Sequence, residues 1–89
     1  MAKYSVSIHK KAKEEYYSLD KTIQKRIKEK ISELQEFPER GVHLIHSNFW
    51  KLRVGDYRVI YEINNSDKIV VVLYMGHRRN VYDKFSKMF

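Results

Sequence analysis

Cysteine is absent from this 89-residue chain, proline occurs once and glycine three times. Without cysteine there are neither disulfide staples nor thiolate–metal chemistry. This suits a reducing cytoplasm, which is where the protein is expected to act. Long apolar runs are missing as well. The longest, Ile69 to Met75, is far too short to span a bilayer, so no membrane partner is expected. No apolar stretch follows the Met-Ala-Lys start, so no signal peptide is expected. There are no internal repeats, no Gly/Ser linker and no Gly-rich phosphate loop, and no Ser-His-Asp arrangement can be picked out. His43 and His46 stand three apart without a convincing carboxylate partner, so a metal site is not expected there.

What is present is positive charge. Lysine and arginine number 18 against 11 aspartates and glutamates, a formal charge of +7. Such a balance in a small chain favours polyanionic partners: nucleic acid, an acidic protein or an anionic surface. With 43% hydrophobic residues, residues 1–89 read as one small domain with a single core.

The periodicities give an order of elements. Tyr4 to Ile8 alternates apolar and polar, as a half-buried strand does. From Lys10 the spacing becomes helical, with Ala12, Tyr16 and Leu19 on one face. Asp20 is placed to cap a second helix striped by Ile23, Ile27, Ile31 and Leu34. Pro38 disfavours helix at Phe37, so this helix should end near Glu36. Beyond Gly41 the pattern is β. Trp50, Leu52 and Val54 share one face of a strand, and Phe49, Lys51 and Arg53 the other. Gly55-Asp56 is a two-residue turn of the type II′ kind. Tyr57 to Ile63 alternates again, and the polar turn Asn64 to Asp67 leads to Ile69–Met75, apolar on both faces as in a doubly covered strand. Asn80 to Phe89 reads as a short helix that packs Val81, Phe85 and Met88. The expected class is α+β: a small antiparallel sheet against an N-terminal helical hairpin, in the order β-α-α-β-β-β with a short C-terminal helix.

Register then points to an anion site. If Gly55 and Asp56 form the loop, Val54 pairs with Tyr57, Arg53 with Arg58, Leu52 with Val59 and Lys51 with Ile60. Like charges directly across a sheet destabilise it by up to ~1 kcal/mol per pair. A chain that keeps Arg53 opposite Arg58 either splays them into water or uses them on an anion, and the guanidinium fork suits phosphate oxygens. Gly76-His77-Arg78-Arg79 and Tyr82 follow the last strand near the same face. Cations for a phosphate, a ring to stack a base and a titratable group together suit a phosphodiester. Lys51 by itself reads as an ordinary solvated lysine, and His77 as a structural histidine. The helix lysines read as a solvated face, and Trp50, Tyr57 and Tyr61 as core. Only the cluster as a whole weighs towards function.

Two stretches, Trp50-Lys51-Leu52-Arg53-Val54-Gly55-Asp56-Tyr57-Arg58-Val59-Ile60-Tyr61-Glu62-Ile63 and Val72-Leu73-Tyr74-Met75-Gly76-His77-Arg78-Arg79-Asn80-Val81-Tyr82, resemble the RelE/ParE toxin superfamily. The resemblance runs over essentially the whole chain, and its two β motifs are its specific part. It implies a RelE-like toxin of a toxin–antitoxin pair, a metal-independent endoribonuclease that cuts mRNA in the ribosomal A site. In that reaction the 2′-hydroxyl attacks the adjacent phosphate. It also implies partners: the ribosome with its mRNA, and a RelB-like antitoxin that binds the toxin as a hetero-oligomer. Residue by residue, it makes Lys51 the general base, Arg58 and Arg78 the phosphate-holding arginines and Tyr82 the stacking tyrosine. Arg53 belongs to the same basic cleft, with His77 and Arg79 as further RNA-binding residues. Phe49 departs from the pattern, because some members carry a second lysine there. Base function then rests on Lys51 or on His77. A gyrase-directed, ParE-like toxin and a non-catalytic basic RNA- or protein-binding domain are the competing readings. The short tail helix is further expected to be displaced when the antitoxin binds.

Overall fold

The computed structural model describes residues 3–89. Met1 and Ala2, part of the start read for a leader, lie outside them. Strand β1 (Ser5–Ile8) leads through His9 into helix α1 (Lys10–Ser18), and helix α2 (Lys21–Glu33) follows almost at once. Each helix start has a side-chain cap. His9 Nδ1 accepts from the Lys11 N–H at 3.1 Å, and Asp20 Oδ1 from those of Thr22 and Ile23 at 3.1 and 3.3 Å. These bonds satisfy amides that the first helical turn leaves free. α2 ends a turn earlier than Pro38 requires, and Pro38–Arg40 forms a single 3₁₀ turn.

The Tyr61 hydroxyl pins that turn. It donates to the Pro38 carbonyl at 2.7 Å and accepts from the Gly41 N–H at 3.1 Å. Burial raises the Tyr61 pKa against the lowering effect of the Gly41 bond, and Glu39 raises it further. A Cβ on Gly41 would collide with the Lys51 carbonyl oxygen and the Tyr61 hydroxyl, so the close approach of the two chains selects glycine.

The chain continues as strands β2 (Val42–His43), β3 (Phe49–Val54), β4 (Tyr57–Asn64) and β5 (Ile69–His77), then helix α3 (Val81–Met88). The class is α+β, as the sequence indicates. The five strands lie in the order β1-β5-β4-β3-β2. The β3–β4 register is the one read from the sequence: Val54↔Tyr57, Arg53↔Arg58, Leu52↔Val59 and Lys51↔Ile60. Gly55 has φ +59°, as the turn requires. Two features differ from expectation. The sheet is mixed, because β1 runs parallel to β5, and a two-residue strand, β2, extends it beyond β3.

On one face α1 and α2 cover the main core, in which Ala12, Ile27, Leu34, Val59, Tyr61, Val70, Val72 and Met75 are fully buried. The helices were expected on this face only. Instead α3 packs on the other, where Ile60, Leu73, Tyr74, Val81 and Phe85 form a second cluster with Phe49 and Val71. The cause is a bulge in β5. Ile60 pairs with Tyr74 but Tyr61 with Val72, leaving Leu73 as an extra residue. One extra residue reverses the in–out alternation beyond it. Tyr74 thereby joins Val71 and Leu73 in an apolar strip on the second face. The Tyr74 hydroxyl reaches round to Glu15 Oε1 at 3.1 Å. Burial and the Glu15 carboxylate push its pKa up to about 12.

Candidate nucleic-acid interface

The second face divides in two. The half under α3 is apolar. Phe49 meets Phe85 edge-to-face at 5.0 Å, and Phe85 stacks on Phe89 at 5.1 Å. Phe49, the departure from the family pattern, is thus a packing residue that seats α3. The other half, towards the β3–β4 turn, carries Lys51 and the cross-strand pair Arg53↔Arg58, with Gly76 of β5 next in the row.

Seating α3 brings Tyr82 to the basic half. Its ring lies under the Lys51 ammonium, 5.9 Å from nitrogen to centroid, and stays 37% exposed. A cation over a ring face is attracted by the quadrupole, by about 0.5–1 kcal/mol where water has access. The pair leaves one ring face and the ammonium near a common point above the sheet.

Both arginines expected to hold phosphate are anchored at the turn. Arg58 Nη1 donates to the carbonyls of Gly55 and Tyr57, each at 2.9 Å. Those bonds use the two Nη1 hydrogens and leave the Nη2 and Nε hydrogens for a ligand. Arg78 is held by its backbone, whose N–H donates to the Asp56 carbonyl at 2.8 Å. Its Nε lies 3.6 Å from Asp56 Oδ1, and the side chain stays about half exposed. Arg79 is exposed. Among the described residues the ion pairs take up Arg78 but neither Lys51 nor Arg53.

The structure therefore brings together Lys51, Arg53, Arg58 and Tyr82, with Arg78 at the adjoining turn. His77 is not part of this group. It pairs with Tyr57, and its ring stands edge-to-face on the Tyr57 ring at 5.5 Å, towards the helix-covered face. Strict alternation from Val72 would have placed it beside Arg58; the Leu73 bulge reverses it.

Two residues at this turn escaped the sequence. Asp56, read only as a turn former, orients Arg78. Arg26, read as part of a solvated helix face, lies over the turn from α2, its Nη2 3.1 Å from where a Gly55 Cβ would stand. Neither carries a local signal, since both contacts join segments remote in sequence.

The positioned cations, a stacking ring and an amine fit a phosphodiester of a single strand, where bases are free to stack. Among the described residues no cluster of side chains suited to a metal ion occurs, and no helix is long and apolar enough to cross a membrane.

Comparisons with known proteins bear on the family and the fold. The family profile described as the ParE toxin of type II toxin–antitoxin systems matches residues 6–82. The archaeal RelE–RelB complex from Pyrococcus horikoshii is similar at 32% identity, covering 85% of this chain and 96% of that one, with a TM-score of 0.75. A substituted form of Escherichia coli toxin RelE in the free state is similar at 26% identity, covering 100% and 99%, with a TM-score of 0.78. The RelBE2 toxin–antitoxin complex from Mycobacterium tuberculosis is similar at 26% identity, covering 88% and 94%, with a TM-score of 0.75. No curated protein matches at the sequence level.

Proposed function

The chain belongs to the RelE/ParE family of toxins of type II toxin–antitoxin systems, and from that premise we propose that it is a ribosome-dependent mRNA endonuclease. The observation that carries the proposal is the seating of the Tyr82 ring against the Lys51 ammonium, next to the arginine row. That row costs stability unless an anion occupies it.

In the proposed reaction Tyr82 stacks on a base of the A-site codon. Lys51 Nζ serves as general base for the 2′-hydroxyl, and the freed oxygen attacks the adjacent phosphorus. The P–O5′ bond breaks, giving a 2′,3′-cyclic phosphate and a 5′-hydroxyl whose oxygen takes up a proton from water. Arg58 and Arg78 hold the non-bridging oxygens as charge builds on them, the kind of stabilisation whose loss costs roughly 10²–10³-fold in rate. Arg53 and Arg79 extend the cationic path for the backbone. The reaction takes place in the cytoplasm, where ribosomes present the message, and calls on no cofactor.

The partner that restrains it is a RelB-like antitoxin, since the solved relatives include RelE–RelB complexes. Displacement of α3, which is eight residues long, would carry Tyr82 away from Lys51 and disable the site. A gyrase-directed toxin without nuclease chemistry is the second reading, favoured by the ParE description of the matching profile. Primer extension on mRNA from a translation reaction separates the two. Cleavage within codons only when ribosomes are present supports the endonuclease. Intact mRNA with folded toxin moves the assignment to gyrase.

A further inference from the structure

The segment that carries Arg78 leaves β5 at His77 and enters α3 after Asn80, three residues later. Backbone bonds hold two of its amides: Arg78 N–H to the Asp56 carbonyl at 2.8 Å and Asn80 N–H to the His77 carbonyl at 3.1 Å. Between them, the Arg79 N–H donates to His77 Nδ1 at 3.2 Å. A side chain that accepts from the amide two residues on closes a ring in the manner of an Asx-turn. The same device recurs at His9, whose Nδ1 accepts from the Lys11 N–H and starts α1.

The His77 ring cannot swing freely about this bond, because it stands against the Tyr57 ring at 5.5 Å. It lines a cleft of about 210 Å³ between α1, β5 and α3, with Glu15, Tyr74, Asn80 and Lys84 among the other walls. The imidazole thus faces away from the basic half of the sheet while its nitrogen fixes the backbone that presents Arg78 to it.

We infer that His77 is a positioning residue: its Nδ1 acts as an acceptor staple on the Arg79 amide and sets the direction in which Arg78 meets the scissile phosphate. This rests on the endonuclease reading for its consequence in rate, but not for the staple itself. The imidazole takes no part in proton transfer to RNA, which leaves Lys51 as the base.

Two substitutions separate acceptor from packing. His77→Asn puts a carbonyl oxygen where an Asx-turn needs it and gives up the ring contact with Tyr57. His77→Leu keeps an apolar contact with Tyr57 and removes the acceptor. With folding checked by thermal melting, His77→Leu should cleave mRNA on programmed ribosomes roughly tenfold more slowly at saturating toxin, as loss of one hydrogen bond permits. His77→Asn should stay within about threefold of the parent, in line with an acceptor that is retained.

Hydrogen exchange at the Arg79 amide, followed by NMR on the toxin alone, reads the staple directly. It should be slow in the parent and in His77→Asn and fast in His77→Leu. Equal cleavage by parent and His77→Leu, or equally fast exchange at Arg79 in all three proteins, overturns the inference. Parent toxin that cleaves nothing while Arg79 exchange follows the expected order overturns the endonuclease reading and leaves the staple standing.

Discussion

On the face beneath α1 and α2, Val59, Tyr61, Val70, Val72 and Met75 are all inaccessible to solvent. On the opposite face of the same strands, an exposed Arg53 stands across from a half-buried Arg58, and the half beneath α3 is apolar. One surface is selected for packing, where each methylene removed from water is worth about 0.8 kcal/mol. The other keeps like charges in register, an arrangement that favours an anionic ligand over stability. Packing and the proposed reactivity thus fall on opposite sides of one sheet, and substitutions on the two sides should fail in different ways.

The largest effect on stability belongs to the first face. Ile27 is fully buried between α2 and the sheet, and Ile27→Ala should cost about 2–5 kcal/mol. In a chain this small that is a large part of the total. Thermal unfolding should shift down by many degrees; an unchanged midpoint would mean that this face is not the main source of stability. On the second face, Phe85→Ala removes the ring that joins Phe49 to α3. The expected cost is about 2 kcal/mol, below the usual value for a full core because the cluster is small. Hydrogen exchange should quicken across Val81–Met88 while β3, β4 and β5 keep their protection. Loss of protection throughout the sheet would merge the two faces into one cooperative unit.

The smallest effect links the faces through Tyr74, whose pKa is raised from 10.0 to about 12 in the folded chain. Below pH 10 the hydroxyl is protonated whether the chain is folded or not, and its contribution is fully present. Between 10 and about 12 the unfolded chain releases the proton while the folded one retains it, so stability falls as pH rises. Tyr74→Phe should flatten that part of the stability–pH curve. An identical alkaline slope in both proteins would assign the fall to other groups.

These two faces were not equally legible in the sequence. The β3–β4 hairpin was readable pair by pair, because a two-residue turn fixes register and every pair on the core-facing side is apolar. The basic row followed from that register alone, and so did the pairing of Lys51 with Ile60. Alternation carries no mark of strand direction, so the parallel β1–β5 pairing was not readable from it. In the run Ile69–Met75 every side chain is apolar, so nothing flags the extra residue at Leu73. That bulge decides the rest: it builds the strip that seats α3, brings the Tyr82 ring beneath Lys51 and turns His77 to the far side. Long-range partners such as Asp56 with Arg78 and Arg26 with the Gly55 turn come from packing and leave no trace in local spacing.

The most direct test of the division between faces replaces both anchored arginines, Arg58→Ala with Arg78→Ala, and measures two properties of one preparation. The account predicts mRNA cleavage on programmed ribosomes reduced by at least ~10²-fold, with the thermal midpoint unchanged or raised by relief of the Arg53–Arg58 repulsion. Cleavage that persists at the parent rate in the folded double variant would contradict it and remove the basic row from the chemistry.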